Sequence, residues 1–323
     1  MILVTGGAGY IGSHCVKRLL QKGYGVVVLD NLSRGFRDAV LTPHFVQGAI
    51  GDRALLDQLL KTWKIDAVMH FSALANVGES VVKPADYYEN NVAQTLTLLT
   101  ACRDHGVQRF IFSSTCATYG DVATVPITET MPTAPLNPYG WSKRMIELML
   151  HDFDHAYGLQ HCIFRYFNAA GADPDGQLRE RHDPETHLIP IVLDVAAGRR
   201  AEVHIFGTDY PTPDGTCIRD YIHVNDLSDA HILGLEYLRA GNPSDIFNLG
   251  SERGYSVREI IHTCERVTGR AVATREAGRR AGDAARLVAD ASKAKRILGW
   301  QTPCSDVEYL VATAWAVQEH PHA

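Results

Sequence analysis

No apolar run in the 323 residues approaches the roughly 20 that a bilayer-spanning helix needs. There is no block of five like charges, and 31 basic against 37 acidic residues leave a net charge of −6. Neither a membrane nor a nucleic acid is therefore an expected partner. The seven cysteines are scattered without a C-x-x-C, which argues against a disulfide framework and against a zinc ribbon. His151 and His155 stand four apart in a helical stretch but lack a third ligand, so no metal site is expected. The chain opens on Met1-Ile2-Leu3-Val4, a strand pattern in place of a leader peptide, which predicts a cytoplasmic protein.

What is present is an ordinary globular composition, 46% hydrophobic and 21% charged, which excludes a disordered chain and a coiled coil. Short apolar runs at 2–5, 26–29, 44–47, 67–71, 110–113 and 161–167 alternate with longer helical patterns. From residue 26 onward the runs lack clean apolar/polar alternation, as expected of parallel strands covered on both faces by crossover helices. The expected class is α/β, a doubly wound parallel Rossmann-type sheet. After about residue 170 the texture changes to Gly171-Ala172-Asp173-Pro174-Asp175-Gly176 and a proline-bearing loop at 209–215. These signals predict a cofactor domain over 1–169 and a smaller, interleaved substrate domain over 170–323. Within the latter, helices are expected at 187–197, 225–238 and 257–267, and segments near 219–250, including a strand at 246–249, return to the first domain.

Thr5-Gly6-Gly7-Ala8-Gly9-Tyr10-Ile11-Gly12 falls between the first strand and a helical pattern ending at Gly23. Glycine is required where backbone turns tightly against a pyrophosphate, whose charge is met by free N–H groups at a helix start. Asp30, eighteen residues past Gly12, closes the second strand where a carboxylate can accept the adenosine ribose hydroxyls. That position repels a 2′-phosphate, so NAD is expected rather than NADP, with Arg34 nearby as the opposing feature.

Tyr139 and Lys143 are four apart just after Asn137-Pro138, a helix-start signal, so phenol and ammonium share a helix face. A tyrosine titrating near 10 is a poor base at neutral pH, and a neighbouring positive charge favours the phenolate. Phe112-Ser113-Ser114-Thr115 ends the fifth strand, at the carboxyl edge where open α/β sheets hold ligands, which places the Thr115 hydroxyl within reach of Tyr139.

Together the glycine loop, Asp30, Ser113-Ser114-Thr115 and Tyr139/Lys143 resemble the extended short-chain dehydrogenase/reductase family. His70-Phe71-Ser72-Ala73, Tyr88-Glu89-Asn90-Asn91-Val92, Arg165-Tyr166-Phe167-Asn168 and the run from 205 to 224 are similar to its UDP-hexose 4-epimerases, over essentially the whole chain. The resemblance implies interconversion of UDP-galactose and UDP-glucose: Tyr139 removes the 4-hydroxyl proton as hydride leaves C4 for NAD, the 4-keto sugar rotates about its diphosphate, and hydride returns to the other face. Firm anchoring of UDP and loose holding of the hexose suit that task.

Carried over residue by residue, the resemblance implies that Thr115, Tyr139 and Lys143 are catalytic. Gly6, Gly9, Tyr10, Ile11, Gly12, Asp30, Asn31, Ile50, Phe71, Ser72, Ala73, Asn91, Ser113, Tyr139, Lys143 and Tyr166 would meet tightly held NAD. Thr115, Tyr139, Asn168, His187, Leu188, His204, Phe206, Arg219, Arg280, Asp283 and Leu287 would meet the UDP-sugar. The resemblance also implies a homodimer through helices at 86–105 and 139–157. Three positions depart from the pattern: Ala49 in place of an acid toward adenine, with Asp52 too far along to replace it, Ala75 in place of a lysine, and Leu287 in place of a tyrosine. The smaller Leu287 predicts room for a 2-acetamido group, hence acceptance of UDP-GalNAc and UDP-GlcNAc.

Three other readings share part of this pattern. A nucleotide-sugar 4,6-dehydratase needs an Asp-Glu pair after the threonine, where Cys116-Ala117 stands. An epimerase of another UDP-hexose, such as UDP-glucuronate, shares all the motifs. A non-catalytic NAD-sensing module would keep the glycine loop but has no use for Thr115, Tyr139 and Lys143 together.

Overall fold

The computed structural model describes residues 1–122, 124–280 and 283–319. In chain order the elements are β1 (Ile2–Thr5), α1 (Tyr10–Gln21), β2 (Val26–Asp30), β3 (Phe45–Gln47), α2 (Arg53–Thr62), β4 (Ala67–His70), α3 (Val77–Val82), α4 (Pro84–Tyr87), α5 (Gln94–Asp104), β5 (Arg109–Thr115), α6 (Pro138–Tyr157) and β6 (Gln160–Tyr166). They continue with β7 (Asn168–Ala170), α7 (Leu188–Ala196), β8 (Val203–Phe206), β9 (Ile218–His223), α8 (Val224–Arg239), β10 (Asp245–Leu249), β11 (Gly254–Ser256), α9 (Val257–Thr268), β12 (Thr274–Ala277), β13 (Arg286–Leu287), α10 (Ser292–Leu298) and α11 (Val307–Glu319).

Seven strands form the main sheet in the order β10-β6-β5-β4-β1-β2-β3, all pairings parallel, so the chain is a doubly wound α/β protein. The apolar runs carry no polar face because both faces are covered. Ile2 and Val4 pack with Val16 and Leu19 of α1 and Leu227 and Leu235 of α8. Leu3, between them in sequence, points the other way onto Leu56 of α2, Leu99 of α5 and Leu150 of α6.

β5 ends at Thr115, as the Phe112-Ser113-Ser114-Thr115 run predicts, and Thr115 pairs with Tyr166. One difference from the sequence reading bears on the site. The single helix expected over 86–105 is instead α4, a wide turn over Tyr88–Ala93, and α5. Such a widened turn loosens the i→i−4 ladder locally, and here it carries the fully buried Asn91.

β6 is followed after one residue by β7, which leads the chain off the carboxyl edge of the main sheet. There β9 is the hub, parallel to β7 and β13 and antiparallel to β11. β8 and β12 pair separately, and Ile189 and Leu193 of α7, Ile260 of α9 and Leu310 of α11 close a core over them. β10 pairs with β6 along Asp245–Leu249. Among the described residues no helix is long and apolar enough to cross a membrane.

Candidate active site

The glycine loop joins β1 to α1. Gly6 has φ +75°, and a Cβ there would stand 2.5 Å from the Ser72 nitrogen, while one at Gly12 would stand 2.2 Å from the Gly6 carbonyl oxygen. Both positions are closed by backbone. Gly9 is different: a Cβ would meet only the Gly6 oxygen, at 3.4 Å. Gly9 also begins α1 with no side chain capping the first-turn N–H groups, so the loop leaves a cradle of free donors that a pyrophosphate fits. Ile11 packs on the sheet beside it, and Tyr10 donates its hydroxyl to the Gly171 carbonyl at 2.6 Å, tying the loop to the chain beyond β7.

Asp30 is buried at the end of β2, accepting from Ala8 N at 3.0 Å and Leu32 N at 2.8 Å. Each oxygen keeps a further acceptor position for a ribose hydroxyl. Arg34, the feature that could have welcomed a 2′-phosphate, is engaged by Glu79 at 3.1 Å and by the Asp183 carbonyl at 3.1 Å. Asn31 turns its side chain to Ser33 N, and Ile50 is buried in the core below. Asp52 caps α2 through Leu55 N, and Ala75 is exposed. Phe71 lies against His231, and Ser72 and Ala73 follow it over the glycine loop half-buried.

Asn137 caps α6 through Gly140 N at 2.9 Å with Pro138 in the first turn. A Cβ at Gly140 would approach the Ala117 oxygen to 2.8 Å, so glycine is what lets α6 abut the turn over Cys116–Thr118. Tyr139 is thereby set beside Thr115, whose hydroxyl favours ionisation of the phenol and accepts from Ala117 N at 3.1 Å. Lys143, one helical turn on, donates to the Ser113 carbonyl at 2.8 Å and sits 5.0 Å above the Phe112 ring. The Ser113 hydroxyl is bonded to Tyr166. Asn91 accepts from Leu74 N and donates to the Leu74 carbonyl and Ser142, bracing α6 from the side.

The expected electrostatic help from Lys143 does not govern the phenol: burial pushes Tyr139 up to about 12, against the neighbouring Thr115 hydroxyl, which favours ionisation. Burial likewise lowers the Lys143 ammonium to about 7 against the pull of Glu147. Both groups are therefore held toward their neutral forms, and a positive charge brought next to the phenol would shift it furthest.

Across the cleft, β9 and β13 bring other candidates together. Cys116, beside Tyr139, feels both Arg219 and Asp220. Arg219 donates to the Ala284 carbonyl at 2.8 Å and lies 3.6 Å from Asp283. Arg280 forks onto Asp283 at 3.0 and 3.2 Å with its guanidinium 5.5 Å from the Phe206 ring. Phe206 is 40% exposed, large for an aromatic side chain. Leu287 pairs with Arg219 in register and packs in the cluster of Phe167 and Cys116. Asn168 donates to the Asp220 carbonyl at 2.9 Å. His204 is drawn to Glu202 at 3.1 Å, and Leu188 begins α7 directly after His187.

Two groups escape sequence reasoning. Glu147 receives Ser114 at 2.6 Å and Arg165 at 2.9 and 2.6 Å in a fully buried network under β5. Its i,i+4 spacing from Lys143 was the signal. His187 stands not alone but with Glu180, His182 and Glu185, an E-x-H-x-x-E-x-H run in a stretch where no helical period brings the ligands onto one face. His151, by contrast, is exposed beside Asp152.

The sequence profile of the NAD dependent epimerase/dehydratase family matches residues 2–250. The UDP-glucose 4-epimerase of Halalkalibacterium halodurans is 53% identical over 322 residues, covering 99% of this chain and 96% of the relative. Among solved structures, UDP-glucose 4-epimerase from Brucella ovis in complex with NAD superposes with a TM-score of 0.95 at 50% identity, covering 98% of this chain and 97% of that one. UDP-glucose-4-epimerase from Stenotrophomonas maltophila with bound NAD and formylated UDP-arabinopyranose gives 0.96 at 42% identity, covering 99% and 98%.

Proposed function

The chain belongs to the NAD dependent epimerase/dehydratase family, and we propose that it is an NAD-dependent isomerase that interconverts UDP-galactose and UDP-glucose through a 4-keto sugar. The observation that carries this reading is the half-buried Tyr139 set beside the buried Thr115 at the carboxyl end of β5, with the buried Lys143 one helical turn away. NAD supplies, when bound, the reversible acceptor for hydride from C4. The glycine cradle from Gly6 to Gly12, Asp30, Lys143 and Tyr166 are the residues to hold it.

Thr115 hydrogen-bonds the sugar 4-hydroxyl and orients it toward Tyr139. Tyr139 takes that proton in the oxidative half and returns it in the reductive half, so the protein is unchanged after each turnover. The neutral resting phenol is consistent with this: it becomes a base only when a positive charge is brought beside it, which ties proton removal to a loaded site. Asn168, Arg219, Arg280 and Asp283 hold the UDP portion, Leu188 and Phe206 wall the uracil, and His187 and His204 flank it. Guanidinium forks suit a diphosphate, and concentrating polar contacts there leaves the hexose free to turn. Leu287 in the apolar cluster near Cys116 favours acceptance of 2-acetamido sugars too.

A homodimer fits the exposed apolar residues on two neighbouring helices, Leu96 of α5 and Trp141, Met145 and Leu148 of α6. The seven free thiols fit a reducing cytoplasm. The test is to incubate the purified protein with UDP-galactose and no added NAD and follow the sugar protons by NMR. Conversion to UDP-glucose is expected. No conversion, even after NAD is supplied, rejects the reading.

A further inference from the structure

Between β7 and α7 the chain runs without regular structure, and four ligand-bearing side chains of its last eight residues converge. One donor atom each from Glu180, His182, Glu185 and His187 lies within 4.8 Å of the others. His182 Nδ1 stands 3.4 Å from Glu180 Oε1 and 3.4 Å from Glu185 Oε2, and His187 Nδ1 stands 2.6 Å from Glu180 Oε1 and 3.5 Å from Glu185 Oε1. Ligands about 2.0–2.1 Å from a tetrahedral zinc ion are separated by about 3.4 Å, close to the spacings from His182 to Glu180 and from each imidazole to one or other oxygen of Glu185, whereas His187 and Glu180 would have to part.

A second observation concerns burial. Glu180 Oε1 is buried, its side chain only 7% exposed, and it has no hydrogen bond of acceptable geometry although two imidazole nitrogens approach it, one to 2.6 Å. A buried carboxylate oxygen in that position keeps acceptor capacity that a cation at a point among the four side chains would take up. The half-open His187, 51% exposed, leaves that point reachable from solvent.

We propose that Glu180, His182, Glu185 and His187 bind one divalent transition-metal ion, with zinc favoured by the set of two imidazole nitrogens and two carboxylate oxygens. The ion would fasten a strap. Arg181 forks onto Asp38 at 2.9 and 2.6 Å and lies 4.0 Å from the Phe36 ring, and Arg34 reaches the Asp183 carbonyl, so residues 181–183 are tied to the loop after β2. His187 immediately precedes α7, whose first turn has no side-chain cap. Metal binding thus joins the Asp30 side of the molecule to the start of α7, a role that goes beyond the epimerase reading and stands without it.

The test uses the holoenzyme, stripped with EDTA, desalted, and given zinc sulfate alone. After a second desalting, mass spectrometry of the metal content is expected to find about one zinc per chain, and thermal unfolding to shift upward on loading. His182→Ala and Glu180→Gln are expected to lower zinc affinity by at least the roughly 10–100-fold that even outer-shell partners cost, while circular dichroism stays as in wild type. Cobalt loading of the wild-type protein checks the donor set without any variant: weak visible bands lacking an intense thiolate absorption are expected. Failure to retain or saturably bind zinc, a thiolate band, or undiminished zinc in a folded variant would overturn the proposal.

Discussion

The Glu147 carboxylate accepts two hydrogen bonds from Arg165, at 2.9 and 2.6 Å, directly beneath the strand that carries Thr115. Glu147 also receives Ser114 and is one helical turn from Lys143, so a single buried acid fixes both β5 and α6. Glu147→Ala is expected to cost about 3–5 kcal/mol, because Arg165 is left buried without its partner. Urea denaturation measures this. Replacing both residues with methionine should recover much of the loss, and a single variant as stable as wild type would show the pair to be dispensable.

Tyr139→Phe keeps the ring and removes the proton carrier. Turnover of UDP-galactose is expected to fall about 10²-fold or more, roughly 3 kcal/mol in the barrier, with bound NAD unchanged by absorbance. Near-normal turnover would mean that another group moves the proton.

Gly9 and Gly12 separate folding from cofactor binding. A Cβ at Gly12 collides with the Gly6 carbonyl at 2.2 Å, whereas one at Gly9 reaches only 3.4 Å. Gly12→Ala is expected to lower the melting temperature of the cofactor-free chain, and Gly9→Ala to leave it within about 0.5 kcal/mol of wild type but weaken NAD binding about tenfold or more. Equal NAD affinity in Gly9→Ala and wild type would remove the pyrophosphate from the loop.

Asp220 accepts from Ser251 N and Oγ, Glu252 N and Ala289 N, yet burial outweighs these and raises its carboxyl to about 6. An unfolded aspartate titrates near about 4. Between those values the folded chain holds a proton that the unfolded chain has released. The contribution of this group to stability is therefore full below about pH 4 and lost as pH rises through about 6. The unfolding free energy of wild type minus that of Asp220→Asn is expected to fall across this window by up to about 3 kcal/mol. A flat difference would show that the donors, not burial, control the group.

Leu287→Tyr tests room at the sugar. Wild type is expected to convert UDP-GalNAc as well as UDP-galactose, and the variant to lose preference for UDP-GalNAc about tenfold or more, since filling a pocket rejects added bulk. No activity of the wild type on UDP-GalNAc would end this idea.

The sequence by itself determined whatever depends on near neighbours. Strand and helix periods gave the doubly wound sheet, because a buried parallel strand must be apolar throughout and a crossover helix follows within the same stretch. Asn137-Pro138 marked the start of α6, and Tyr139 and Lys143 share a face by helical geometry alone. The glycine loop was legible because positive φ and closed backbone contacts restrict a position to glycine whatever the rest of the chain does. Only the tertiary structure decided the meeting of Arg219 with Asp283 and Leu287, the Glu147–Arg165 pair, and the convergence of Glu180 with His182 and His187 in a stretch without regular structure, where no period fixes which side chains face each other. It also decided the sign of the electrostatics at Tyr139 and Lys143. Spacing reveals that an ammonium is near a phenol, but burial, a property of the whole fold, sets the charge that each can carry.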